Sequence, residues 1–323
     1  MVSSALSPIL VFTYNRPKHT LECLKSLSKN KLASESTLYI FSDGKKEGAN
    51  DEDIQKISET RNVIKSERWC KEVIIVEQKE NKGLAQSVID GVTEVIRKYG
   101  SVIVLEDDII SGPGFLQFMN DALEKYKDEK KVFEISGFNF PIKEFEKETA
   151  CFFLPIISSW GWGTWERAWN EFDPSATGYE KLKTDGLLRH RFNLDSSYTY
   201  SDMLIAQMET KKINSWAVRW LWTVFKNDKL TLFPPKSYVI NIGFGDESTH
   251  TKTKVKFTGE QTLVAGSLAL KYPEKIIHDE QKLGIVKKFL TGNYMHYKTF
   301  FIKRYLATFY YSLILKFRCM SNK

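Results

Sequence analysis

The apolar run Ser101-Val102-Ile103-Val104-Leu105 ends abruptly in Glu106-Asp107-Asp108. It is bounded by Gly100 before it and by the turn residues Gly112, Pro113 and Gly114 beyond the acids. Such a run reads as a buried parallel strand, which needs cover on both faces of its sheet. Three adjacent carboxylates at a strand end repel one another unless positive charge sits beside them. A hard divalent cation, Mg²⁺ or Mn²⁺, meets that need, because it prefers oxygen ligands and often shares them with a phosphate. The competing reading is an exposed acidic turn. The strand context weighs against it, since ligands in open α/β sheets bind beyond the carboxyl ends of the strands.

The preceding residues repeat the pattern. Pro8-Ile9-Leu10-Val11-Phe12-Thr13 reads as a strand ending at Tyr14-Asn15-Arg16-Pro17, with Pro17 suited to a first helical turn and Leu21, Leu24 and Leu27 following at helical spacing. Residues 37–41 and 73–76 are two further strands, with a polar helix expected over Asp51–Lys65. Leu84, Val88, Val92 and Val95 mark another helix, and one more is expected near 115–127. Strand and helix alternate four times, which predicts an α/β fold with a mostly parallel, Rossmann-like sheet and helices on both faces. Past about residue 130 the spacing loosens, with strands expected at 132–135 and 150–154 in a smaller mixed region. The expected division is 1–130, 131–260 and a helical C-terminal tail, 261–323.

Seven of the eight tryptophans lie between Trp160 and Trp222. Single tryptophans are more often core than ligand contacts, although rings also pack on the apolar faces of sugars. In Trp160-Gly161-Trp162-Gly163 the alternating glycines would leave the backbone open to a ligand, which makes Trp162 a candidate donor contact.

The net charge of +7 is uneven. Residues 281–323 hold nine Lys or Arg and no acid, which leaves −2 for the remainder and argues against a nucleic-acid footprint over the body. Residues 305–315 carry no charge and are flanked by Lys303-Arg304 and Lys316-Phe317-Arg318. They are too few to span a bilayer, which takes about 20 residues. They fit an interfacial helix over 285–318 on an anionic membrane, or else a terminal helix packed on the body. The four cysteines show no zinc spacing or disulfide framework, and the first residues show no signal peptide. The expected location is therefore the cytoplasm, peripheral to the inner face of the membrane.

Four strand ends carry polar groups: Asn15-Arg16, Asp43-Gly44, Asn81-Lys82-Gly83 and Glu106-Asp107-Asp108. In a parallel sheet these share one edge and offer a nucleoside pocket beside a metal-diphosphate site, with Lys82 a candidate donor contact. No Walker loop or GxGxxG occurs, so metal and side chains must hold the phosphates.

With these pieces the chain resembles the GT-A glycosyltransferases, in particular the family of N-acetylglucosaminyltransferase I and protein O-mannose N-acetylglucosaminyltransferase. The matching pieces are 8–16, Ile40-Phe41-Ser42-Asp43, Val104–Asp108, Ser159-Trp160-Gly161-Trp162-Gly163, Ser201-Asp202-Met203 and Gly243–His250, in the family's order over roughly residues 8–255. The resemblance implies a nucleotide-sugar-binding half (1–130) and an acceptor-binding half (131–260). It implies that Arg16 and Asp43 contact the uridine end of the donor and that Asp108 ligates Mn²⁺, with Glu106 and Asp107 on ribose and sugar hydroxyls. Asp202 would be the catalytic base, and the loop with Glu247 and His250 would close over bound donor. Plainer roles compete: Arg16 as a helix cap or ion pair, Asp43 as a turn residue, Asp202 as a helix N-cap, and Glu247 or Asp246 as rival bases.

The chemistry expected is metal-assisted departure of the nucleoside diphosphate while a carboxylate deprotonates the acceptor hydroxyl. No separate nucleophilic carboxylate is evident, so inversion is expected. The donor expected is a UDP-sugar, N-acetylglucosamine or a related hexosamine, and the acceptor a glycan or a lipid-linked sugar in surface polysaccharide or glycan synthesis. A sugar nucleotidyltransferase and a non-catalytic carbohydrate-binding protein are the alternatives.

Overall fold

The computed structural model describes residues 6–210, 214–243, 263–264 and 270–292. The first half alternates strand and helix as the periodicity predicts: β1 Ile9–Thr13, α1 Pro17–Ser28, β2 Thr37–Ser42, α2 Asp51–Lys65, β3 Glu72–Glu77, α3 Leu84–Tyr99 and β4 Ser101–Glu106. The helix ends follow local chemistry. Pro17 opens α1. Asn50 caps α2 by accepting from the Asp53 N–H at 2.8 Å, and three acids in the first turn suit the positive helix end. Gly100, left-handed at φ +80°, closes α3.

The second half holds β5 Ile109–Ser111, α4 Phe115–Lys125, β6 Val132–Ser136, β7 Phe152–Leu154, β8 Trp162–Trp165, α5 Glu166–Trp169, α6 Lys181–Thr184, α7 Gly186–Phe192, α8 Tyr200–Thr210, α9 Trp216–Lys226, β9 Leu230–Phe233 and β10 Val239–Asn241. Residues 280–292 are helical as well.

Eight strands form one sheet in the order β3-β2-β1-β4-β8-β6-β9-β7. β3, β2, β1 and β4 run parallel, β8 enters antiparallel between β4 and β6, and β6 and β9 are again parallel. The sheet thus continues unbroken past residue 130. The Trp-Gly run read as a ligand-facing loop is in part β8. Its regular pairing with β4 and β6 was hidden by glycines, which depress strand propensity.

Alternation along the strands builds two cores. Ile9, Val11, Leu38, Ile40, Ile103 and Leu105 face one, with Leu24 and Leu27 of α1 and Met119 and Leu123 of α4. Leu10, Phe12, Tyr39, Phe41, Val102 and Val104 face the other, with Val88, Val92 and Val95 of α3 and Trp216 and Trp220 of α9. Helices therefore cover both faces. Gly91 brings α3 close, because a Cβ there would lie 2.9 Å from the Phe12 ring.

The chain steps outward from β1 to β2 to β3, then returns to place β4 on the other side of β1. The strand order thus reverses at β1 and β4, the place where such sheets usually open a ligand crevice. Phe12 pairs with Glu106, so Tyr14–Pro17 and the acid triplet lie side by side in it.

The tail begins as part of the body. Leu283, Val286 and Leu290 pack against Phe152, Leu154 and Phe233 in a further core cluster. Residues 285–292 of the segment expected at a membrane are therefore docked on the domain, and the remainder lies outside the described residues. Among the described residues no helix is long and apolar enough to cross a membrane.

Candidate active site at the sheet switch point

The acid triplet and Arg16 form one ionic cluster. Arg16 engages both oxygens of Asp107, through Nη2 and through Nε at 3.3 Å, and donates from Nη1 to Asp108 Oδ2 at 3.0 Å. Asp107 and Asp108 are buried. Glu106 accepts from the Trp216 indole N–H at 3.4 Å. Burial works against the Arg16 charge, but Asp107 and Asp108 outweigh it and raise its pKa. Burial, then the charges of Asp108 and Asp107, push Glu106 up to about 8. Burial likewise brings Asp107 to about 7, opposed by Arg16 and reinforced by Asp108. One guanidinium thus leaves three carboxylates short of positive charge.

Asp108 is built in from a distant stretch of chain. β5, just after the triplet, pairs antiparallel with β10. Asn241 Nδ2 donates to Asp108 Oδ1 at 3.3 Å, and the Ile242 N–H donates to the Asp108 carbonyl at 2.9 Å. Gly243 lies so close that a Cβ there would collide with Asp108 Oδ2. Asn241 and Trp216 are site residues that sequence reasoning missed. A strand of three residues and a tryptophan among seven offered no local signal for either.

The shortage of positive charge, together with hard oxygen donors, fits a divalent cation at Asp108. Among the described residues no group of three or more His, Cys, Asp or Glu side chains is arranged to ligate a metal unaided. A cation here would take most of its ligands from water or from a bound ligand, as Mg²⁺ commonly does.

The other predicted site residues divide. Asp43 is buried and accepts four hydrogen bonds: from the N–H groups of Gly44 and Lys82 at 2.8 Å, and from the Gly83 N–H and Asn81 Nδ2 at 2.9 Å. A carboxylate has about four acceptor positions, so this one is saturated in tying the β2 end to the loop before α3. Lys82 pairs with Asp90 at 2.8 Å on the surface.

Trp162 requires correction as a donor contact. Its side chain is 0% exposed and stacks on Trp216 with centroids 4.7 Å apart. Nor do the adjacent glycines face a ligand: a Cβ at Gly161 would meet Val239 at 2.8 Å, and one at Gly163 would meet Met119 and the Val102 carbonyl at 3.0 Å. Buried tryptophans fill the core of this half; Trp160 alone of the seven is only partly buried.

Asp202 is placed at the surface. It lies in the first turn of α8, its carboxylate 56% exposed and paired with Arg189 of α7. Leu204 turns the helix's inner face toward a separate cluster with Leu221 and Trp222. No described contact joins Asp202 to the triplet. Replacing it with asparagine is expected to change stability by less than about 1 kcal/mol, since an exposed pair contributes little. Loss of transfer with donor binding intact would identify it as the base. Glu247 and His250 lie outside the described residues.

The fold and this site define an open α/β protein with an acidic switch-point centre. No family model and no curated protein matches the chain. Among solved structures it resembles the mannosyltransferase PcManGT from Pyrobaculum calidifontis, in complex with GDP-Man and Mn²⁺, at 12% identity over 69% of this chain and 75% of that one, TM-score 0.37. It resembles S. aureus TarS 1–349 at 16% identity over 74% of this chain and 60% of that one, TM-score 0.41. A cytidylyltransferase from Leptospira borgpetersenii is similar at 12% identity over 64% and 73%, TM-score 0.30. These likenesses are too remote to assign a chemistry.

Proposed function

We propose that this chain is a glycosyltransferase that uses a nucleoside-diphosphate sugar with Mn²⁺ or Mg²⁺. The observation that carries this reading is the acid triplet, clamped by Arg16, in the crevice between β1 and β4. Asp108 would hold the cation, which on binding would neutralise charge developing on the departing diphosphate. Arg16 adds a fixed positive charge at the same place. The loops tied together by Asp43 would border the nucleoside, with uridine the one expected. Lys82 can reach a donor phosphate at little cost, because its exposed pair with Asp90 is weak. Glu106 and Asp107 would face the sugar and ribose hydroxyls. The triplet carboxylates are engaged by Arg16, Asn241 and Trp216, so none stands ready as a nucleophile and a single inverting displacement is favoured. N-acetylglucosamine or a related hexosamine is the sugar proposed, and a glycan or lipid-linked hydroxyl the acceptor.

The test is binding and turnover with UDP-N-acetylglucosamine. Saturating donor with Mn²⁺ should raise the melting temperature by several degrees, EDTA should remove the shift, and UDP should be released. Pyrophosphate released from UTP and a sugar 1-phosphate, without UDP from any sugar nucleotide, would instead identify a nucleotidyltransferase.

A further inference from the structure

β6 carries a buried acid outside the triplet. Glu134 is 0% exposed and sits between the buried Phe133 and Ile135. Its Oε1 accepts from the Ser158 N–H and its Oε2 from the Trp220 indole N–H, both at 2.8 Å. No described cation pairs with it. Arg167 of α5 donates to the Val132 and Tyr126 carbonyls at 2.9 Å, Arg219 of α9 donates to the Ser215 carbonyl at 3.0 Å, and Lys229 lies over the Phe133 ring at 4.8 Å. Burial pushes the Glu134 pKa up to about 8, against both hydrogen bonds. A well-packed apolar side chain would be more stable in such a place.

Its two donors lead toward the acid triplet by separate routes. Trp216 and Trp220 are one turn apart on α9 and belong to the same core, and the Trp216 indole donates to Glu106 at 3.4 Å. Ser158 leads into the turn before β8, and its Oγ accepts from the Trp160 N–H at 3.2 Å. β8 begins at Trp162, which pairs with Val104 two residues before Glu106, so this turn lies at the triplet's end of the sheet. The stack of Trp162 on Trp216 joins the two routes. β8 adjoins β4 on the side away from β2 and β3.

We propose that Glu134 is a positioning residue for this site: by accepting from both elements at once, it fixes α9, and with it the Trp216 indole on Glu106, relative to the Ser158–Gly161 turn. Only a carboxyl serves, because each of its oxygens keeps a lone pair in either protonation state, whereas an amide nitrogen has none to offer. Glutamine fills the same volume but must release either Ser158 or Trp220. On the glycosyltransferase reading, on which the catalytic consequence rests, a donor lying from the β2 and β3 loops to Asp108 brings its sugar to the β8 side. The joint then governs transfer and leaves nucleoside binding alone.

Indole N–H resonances of the ¹⁵N-labelled whole chain test the joint without substrate. In Glu134→Gln those of Trp216 and Trp220 should both move, although Glu134 bonds only Trp220. With Mn²⁺ and UDP-N-acetylglucosamine, kcat for UDP release should fall about tenfold or more while KM stays within about threefold. Val224→Ala empties a buried site on the same helix and leaves both indole bonds in place, so kcat should stay within about threefold at a comparable loss of melting temperature. Trp220→Phe keeps a ring against Phe133 and removes only the donor; it should also move Trp216, and it serves if Glu134→Gln does not fold. A Trp216 resonance unmoved in both variants overturns the proposal, as does a loss confined to KM or one that Val224→Ala reproduces. A moved Trp216 in a chain whose wild type releases no UDP rejects the glycosyltransferase reading and leaves the joint standing.

Discussion

Asp108→Ala is expected to lower metal-dependent turnover about a thousandfold or more, equivalent to some 4 kcal/mol of transition-state stabilisation, while the fold persists. The loss follows from position. Asp108 is the acid held from the second half of the chain, with Asn241, Ile242 and Gly243 gathered around it. Neither Glu106 nor Asp107 is held from that stretch of chain in the same way. The persistence follows from charge. Asp108 raises the pKa of both Glu106 and Asp107, so removing it relieves repulsion, and Arg16 keeps its paired grip on Asp107. The melting temperature of the variant should match or exceed that of the wild type, the usual sign of a residue kept for function at some cost in stability. Donor titration with Mn²⁺ and thermal melts check both parts. Unchanged turnover would remove Asp108 from the site, and a melting temperature lowered by many degrees would make it structural.

Trp162→Ala is expected to destabilise the fold by about 3–5 kcal/mol, the cost of emptying a large buried aromatic site. That is a large share of a total stability of about 5–15 kcal/mol, so urea unfolding should shift far or fail to show a native baseline. Trp162→Phe separates packing from recognition. Phenylalanine keeps the stacking on Trp216 and removes an indole N–H that has no hydrogen-bond partner among the described residues. It should cost at most about 1–2 kcal/mol and change donor affinity less than about threefold. A selective loss of donor affinity in Trp162→Phe would return the residue to the donor site.

These two residues show what a local stretch of sequence conveys and where it stops. Glu106-Asp107-Asp108 was legible because an apolar strand ending in charge can satisfy itself in few ways. Trp162 was misread because a Trp-Gly alternation serves a strand between two sheet neighbours as well as a ligand loop, and periodicity cannot tell them apart. Asp202 could not be placed for a related reason: an acid at a helix start looks the same whether it faces a crevice or solvent.

The sequence by itself determined the alternation of strands and helices, the two-faced sheet of the first half, and the gathering of polar groups at the strand ends. Each of these follows from local periodicity and from the need to cover both faces of a parallel strand. Only the tertiary structure decided that Arg16 grips the acids, that Asp43 is saturated by the neighbouring loop, and that Asn241 and Gly243 enclose Asp108. It alone set β8 between β4 and β6, placed β3 at the end of the sheet and paired Asp202 with Arg189. Those outcomes depend on contacts between residues far apart in the chain, and such contacts leave no mark on the spacing of either partner.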